Sequence, residues 1–147
     1  MSAAPIFTDM ANGPGGGEAV WRMADDGVRL RLAIWPATAG HATKGTVFVF
    51  PGRTEYVEKY GEVAKQLAGS GLASLVIDWR GQGLSDRLVT NPLTGHVENF
   101  KDYQRDVRAA ITLAEERNLP KPWFLLSHSM GGCIALRSIC EGFEVKA

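Results

Sequence analysis

Residues 122–132 read Pro-Trp-Phe-Leu-Leu-Ser-His-Ser-Met-Gly-Gly. The run Pro122 to Ser127 has the length and composition of a buried strand, and Gly131 to Glu141 that of a helix. Strand, sharp turn, serine and helix in immediate succession is the context in which a serine hydroxyl is presented as a nucleophile. Such a turn is crowded, so its flanking residues must be small. Gly131 and Gly132 meet that need on the helical side, and Ser127 stands on the strand side, where glycine is usual. A helix that begins at Ser129 would also point its free N–H groups and positive dipole end at any oxyanion formed there. The same residues admit a plainer reading in which Ser129 only caps a helix, because serine is a favoured N-cap.

Upstream, the texture alternates between strands and helices. Thr46 to Phe50 and Ala73 to Ile77 are continuous apolar runs, as expected of strands buried on both faces. Between them, Val57, Tyr60, Val63, Ala64, Leu67 and Ala68 fall at helical spacing over 55–70. Asn99 is placed to cap a second helix, with Phe100, Tyr103, Val107, Ala110, Ile111 and Ala114 inward and Asn118 and Pro120 as its stop. Further upstream, Ala19 to Ala24 and Val28 to Trp35 flank an Asp25-Asp26-Gly27 turn. The second of these strands alternates apolar and polar residues, which predicts a half-exposed strand. The first seventeen residues crowd Gly13, Gly15, Gly16 and Gly17 around Pro14, which predicts a flexible lead-in over 1–17 and a folded unit over 18–147. Together these elements predict an α/β fold with a mainly parallel sheet and flanking helices, five strands plus the start of a sixth at 143–147.

Composition narrows the function. Sixteen Lys+Arg balance sixteen Asp+Glu and are interspersed, so there is no basic patch for nucleic acid or an anionic membrane. No apolar stretch approaches the roughly 18 residues of a transmembrane segment. Residues 1–17 carry no basic n-region and no apolar h-region. Cys133 and Cys140 lie about 10 Å apart along one helix, too far for a disulfide, and read as small buried side chains in a reducing compartment. The expectation is a cytoplasmic protein.

Two further motifs follow strands. Pro51-Gly52-Arg53-Thr54 comes directly after the 46–50 run. In an enzyme with a nucleophile elbow, one oxyanion donor is a backbone N–H in this loop and the other is the N–H after the nucleophile. Those donors would be Arg53 and Met130. Alone, the tetrapeptide also reads as an ordinary turn with a solvated arginine. Asp78-Trp79-Arg80-Gly81-Gln82-Gly83-Leu84-Ser85 has two glycines two apart. Position 86 is Asp, so the G-x-G-x-x-G phosphate cradle is not completed, and a tight loop held by Asp78 and Arg80 is the expectation.

Taken in order, PGRTEY, VIDWRGQGLSD, GHVENFKDYQRDV and FLLSHSMGG resemble the α/β-hydrolase superfamily. The resemblance is to its lysophospholipase and monoacylglycerol-lipase-like subgroup, also labelled serine aminopeptidase-like, and runs from Val20 to the end. It implies an α/β-hydrolase fold, Ser129 as nucleophile, and Arg53 and Met130 as backbone oxyanion donors. It also implies a small acyl-ester or lysolipid substrate, cleaved through an acyl-enzyme without cofactor or metal. Pro51 and Ser127 stand where the subgroup usually has His and Gly.

The same resemblance calls for an acid and then a histidine after the nucleophile. No histidine follows Ser129. His128 is expected to pack against the sheet, His96 to bond within its loop, and His41 lies in the polar loop between Pro36 and Gly45. Glu141 is roughly 18 Å along the helix from Ser129. The expectation is therefore the N-terminal portion of a hydrolase domain, ending after the nucleophile helix, without cap or C-terminal strands and inactive by itself. A general carboxylesterase, a peptidase and a non-catalytic product are the alternatives.

Overall fold

Asp25, Asp26 and Gly27 turn the chain between β2 (Glu18–Met23) and β3 (Arg29–Trp35), which pair antiparallel from Glu18↔Ile34 to Met23↔Arg29. The computed structural model, which describes residues 2–38 and 43–146, places this hairpin beside a βαβ unit. The apolar runs become β4 (Gly45–Phe50) and β5 (Leu72–Asp78), which pair in parallel. Their connection is a 3-10 turn, Val57–Tyr60, leading into α2 (Gly61–Gly69). A second crossover runs through α3 (Tyr103–Glu116) to β6 (Trp123–Ser127), parallel to β4 on its other side, and α4 (Met130–Cys140) follows. Asn118 ends the α3 segment in the left-handed region, φ 51°, with Leu119 N–H donating to Ala114 O and Asn118 N–H to Glu115 O.

Among the described residues, six strands are ordered β1-β2-β3-β5-β4-β6, where β1 is Ser2–Ala4. The parallel part predicted from sequence is β5-β4-β6. The pairings through β1, β2 and β3 are antiparallel, so the sheet is mixed. Successive side chains leave a strand on opposite faces, so β4 feeds two cores. Phe48 and Phe50 join Leu32, Leu75 and Ile77 beneath α3 and α4. Val47 and Val49 join Ala33, Trp35 and Val76 beneath α2 and the Val57–Tyr60 turn.

Three expectations change. The lead-in carries order: Ser2–Ala4 pairs with Ala19–Trp21 at the sheet edge, and α1 (Thr8–Ala11) sets Ala11 against Gly61. The outer edge of β2 offers unpaired backbone groups that a short strand satisfies. The β3 strand is buried beyond Arg29 on both faces rather than half-exposed. Its Arg31 is neutralised inside, 2.7 and 2.8 Å from the Glu58 carboxylate and 2.8 Å from Asp78. At 143–146, Lys146 N–H donates to Trp123 O, but no strand forms, and the sixth strand is β1.

Candidate active site

The β6 strand ends at Ser127, His128 N–H donates to Phe50 O at 3.1 Å, and the chain reverses at Ser129. Ser129 has φ 52° and ψ −119°, a backbone conformation that costs a residue with a side chain on the order of 1–3 kcal/mol. An ordinary N-cap serine is extended and bonds a helical N–H. Ser129 is neither: it makes no capping hydrogen bond, and it is exposed. The plain capping reading therefore fails on geometry. Close approach explains the glycine at 131, where a Cβ would collide with the carbonyl oxygens of Phe50 and Pro51. At Gly132 the nearest atom to such a Cβ is Ser127 Oγ, 3.8 Å away. Ser127 is exposed at the strand end, so its side chain has room where glycine is usual.

The loop Pro51–Glu55 faces this turn. Gly52 N–H donates to Glu55 Oε2 at 2.5 Å, Thr54 N–H to Gln82 Oε1 at 2.5 Å, and Glu55 N–H to Gly52 O at 3.4 Å. Trp79 Nε1 donates to Pro51 O at 2.9 Å. Among the described residues, the Arg53 and Met130 N–H groups donate to no partner, and they lie on the two loops that meet at Ser129. The Arg53 guanidinium is exposed and reaches Gly95 O at 3.5 Å.

The helical spacing over 55–70 gives no hint of the role of Glu55. Glu55 is buried under the loop and accepts from Gly52 N–H, Tyr60 OH, Lys59 Nζ and His128 Nδ1. Burial alone would raise its carboxyl. The bonds from Lys59, Tyr60, Gly52 and His128 outweigh that and hold it at about 2. Burial and the Glu55 carboxylate push the Tyr60 hydroxyl well above the usual phenol range. Gln82 carries no such hint either; it is buried between Thr54 N–H and Tyr103 OH. The one clue in the sequence is an acid three residues after a strand-end glycine, a spacing that lets a side chain close back on a turn.

His128 departs from expectation. Its side chain is 65% exposed and lies 3.3 Å from Glu55 Oε2 rather than packed on the sheet, drawn to the buried carboxylate. His96 bonds Glu98 within its loop at 3.2 Å, and His41 lies outside the described residues. The tight-loop expectation at 78–85 holds. Asp78 accepts from Leu84 N–H and Val57 N–H, and Arg80 pairs with Asp106 and Asp26. Cys133 and Cys140 are free, as expected, but exposed rather than buried, because α4 buries its Gly131, Ile134, Ala135 and Ser138 face. Among the described residues, no group of three or more His, Cys, Asp or Glu is placed to hold a metal ion. No helix there is long and apolar enough to cross a membrane.

Residues 41–144, most of the chain, match the serine aminopeptidase S33 family. The chain belongs to that family. Over 92 residues the S33 chain is 44% identical to lysophospholipase L2 of Escherichia coli K12, covering 60% of this chain and 26% of that protein. Human monoglyceride lipase is 33% identical over 118 residues, covering 79% of this chain and 36% of the lipase. The chain thus spans about a quarter to just over a third of these relatives. The crystal structure of a soluble variant of Saccharomyces cerevisiae monoglyceride lipase with a substrate analog matches with a TM-score of 0.63 at 26% identity, covering 83% of this chain and 39% of that one. A thermostable carboxyl esterase from Bacillus coagulans matches with a TM-score of 0.75 at 18% identity, covering 90% and 43%, and so shares the fold alone. The S33 chain has the α/β-hydrolase fold.

Proposed function

We propose that this S33 chain carries the nucleophile and the oxyanion donors of a serine ester hydrolase acting on lysophospholipids or monoacylglycerols. The observation that carries the reading is Ser129. It is held at positive φ, exposed and uncapped, beside two backbone N–H groups that donate to no partner among the described residues. A serine at a strained elbow presents its Oγ to substrate, and N–H groups fixed before the reaction stabilise charge that develops in the transition state.

In this mechanism Ser129 Oγ attacks the ester carbonyl carbon while its proton passes to a base. The carbonyl oxygen, now anionic, accepts from Arg53 N–H and Met130 N–H. The tetrahedral species collapses, the C–O bond to the glycerol portion breaks, and that alkoxide takes the proton. Water then repeats the attack on the acyl-enzyme and releases a fatty acid. No histidine follows Ser129 within residues 1–147, so the base and the acid that orients it belong outside these residues, and residues 1–147 alone are expected not to turn over. The likeness to lysophospholipase L2 supports the lysolipid substrate, and the interspersed, balanced charge supports a small-molecule partner.

The test uses the full-length protein, a fluorophosphonate probe, and lysophosphatidylcholine, monooleoylglycerol, p-nitrophenyl esters and an aminoacyl amide as substrates. We expect labelling and lysolipid or monoacylglycerol hydrolysis, both abolished in Ser129→Ala. Equal labelling of the two proteins would sink the nucleophile assignment. The family description gives a second reading, a peptidase; preferential turnover of the aminoacyl amide would favour it.

A further inference from the structure

We infer that Glu55 and Gln82 are positioning residues that fix the oxyanion loop so that Arg53 offers its one unspent N–H. This rests on the reading of Arg53 and Met130 as oxyanion donors and adds the device that sets where those donors stand.

Pro51 has no N–H. The N–H groups of Gly52, Thr54 and Glu55 are spent on Glu55 Oε2, Gln82 Oε1 and Gly52 O. Two of those three acceptors are buried side chains, Glu55 at 6% and Gln82 at 3% exposure. A five-residue loop that spends every donor but one is held in a single conformation, with Thr54 at φ 63°. The carbonyl side is also tied, Pro51 O to Trp79 Nε1 and Gly52 O to the Glu55 N–H.

Glu55 does more than close a turn. Its Oε2 takes both the Gly52 N–H on the oxyanion loop and Nδ1 of His128, which immediately precedes Ser129. One carboxylate oxygen thereby joins the loop that carries Arg53 to the elbow that carries Met130, and so sets the spacing between the two donors. The wedge is tight: a Cβ on Gly52 would fall 2.9 Å from His128 Nδ1 and 3.0 Å from Glu55 Oε2. Tyr60 OH, 2.5 Å away, and Lys59 Nζ hold the carboxylate from beneath, so its negative charge is answered rather than aimed at the oxyanion. Gln82 holds the far side, itself anchored by Nε2 to Tyr103 OH at 3.5 Å.

Groups that act by preorganisation affect the transition state and leave ground-state binding alone, and misplacement by about 1 Å can cost on the order of 100-fold in rate. The experiment measures kcat and KM of the full-length protein on lysophosphatidylcholine, with kcat normalised to sites titrated by fluorophosphonate, for wild type, Ser129→Ala, Glu55→Ala, Glu55→Gln and Gln82→Leu. We expect Glu55→Ala and Gln82→Leu to lose roughly 10- to 100-fold in kcat per titrated site with KM unchanged. Glu55→Gln should recover most of that loss, because its amide oxygen still accepts from Gly52 N–H while exposed Lys59 swings away. A role confined to stability would lower the titrated fraction and leave kcat per site intact. Intact kcat per site in folded Gln82→Leu and Glu55→Ala, with Ser129→Ala dead, overturns the positioning role and spares the nucleophile. Wild-type turnover by Ser129→Ala overturns both. Should Glu55→Ala fail to fold, Gln82→Leu and Glu55→Gln decide alone: unchanged kcat in Gln82→Leu is then the overturning result.

Discussion

At the residue scale the elbow is decided by which glycine has no room. Gly131 and Gly132 are neighbours with the same apparent licence in the sequence. The structure separates them: a Cβ at 131 meets the backbone oxygens of Phe50 and Pro51, and one at 132 meets only Ser127 Oγ at 3.8 Å. Backbone cannot step aside as a side chain can, so Gly131→Ala should push α4 off the end of β4. We expect a loss of about 1–3 kcal/mol, read as a lower denaturation midpoint, together with loss of fluorophosphonate labelling at Ser129. Gly132→Ala should be neutral, or stabilise by up to about 1 kcal/mol, since alanine is the better helix former. Equal costs at the two positions would contradict the close-approach argument. The sequence shows that small residues are needed around Ser129. It does not show which one touches backbone, because that depends on where β4 ends relative to α4, a contact between positions some eighty residues apart.

At the element scale, strands and helices with strong apolar periodicity were legible, and the segments held by side-chain hydrogen bonds were not. The runs at 46–50, 73–77 and 122–127 became β4, β5 and β6 within a residue or so. Residues 1–17 read as flexible because composition weighs glycines and is blind to the open edge of β2, on which Ser2–Ala4 pairs. Glu55 read as helical because nothing local reveals that its carboxylate turns back to Gly52 N–H. The same carboxylate gives the loop a pH signature. Its folded value of about 2 lies below the ordinary carboxyl value of 4.5. The stabilisation is therefore complete above pH 4.5 and is lost as pH falls toward 2. The shift corresponds to roughly 3 kcal/mol at neutral pH. Comparison with Glu55→Gln isolates this group from every other titration. The stability gap between the two proteins, measured by urea denaturation, should be widest above pH 5 and shrink steadily between pH 4.5 and 2. A gap independent of pH would mean that Glu55 carries no such bonds.

At the scale of the whole molecule, one buried arginine ties the N-terminal elements to the loops around the site. Arg31 on β3 bonds Glu58 on the turn before α2, Asp78 at the end of β5, and Pro5 O in the segment between β1 and α1. Glu58 in turn accepts from Phe7 N–H, and Asp78 from Val57 N–H and Leu84 N–H. The arginine is 1% exposed and Asp78 0%, so neither charge has water to fall back on. Removing one member of such a group costs far more than the pair contributes, because the remaining charges stay buried without a partner. Arg31→Met, close in volume and apolar, should destabilise by about 3–5 kcal/mol at neutral pH, a large share of the stability of a domain. Acid supplies the check on mechanism. Burial already pushes the Asp78 carboxyl up, and attraction to Arg31 is the main force holding it down. Without the arginine its value must rise further, so the folded variant takes up a proton that the unfolded chain does not. The penalty should then be full above the raised folded value and shrink as pH falls toward the ordinary carboxyl range. Denaturant titrations of wild type and Arg31→Met from pH 8 to pH 4 measure this directly. A penalty that stayed constant over that range would place the damage in lost packing around the β3 strand rather than in the orphaned carboxylates.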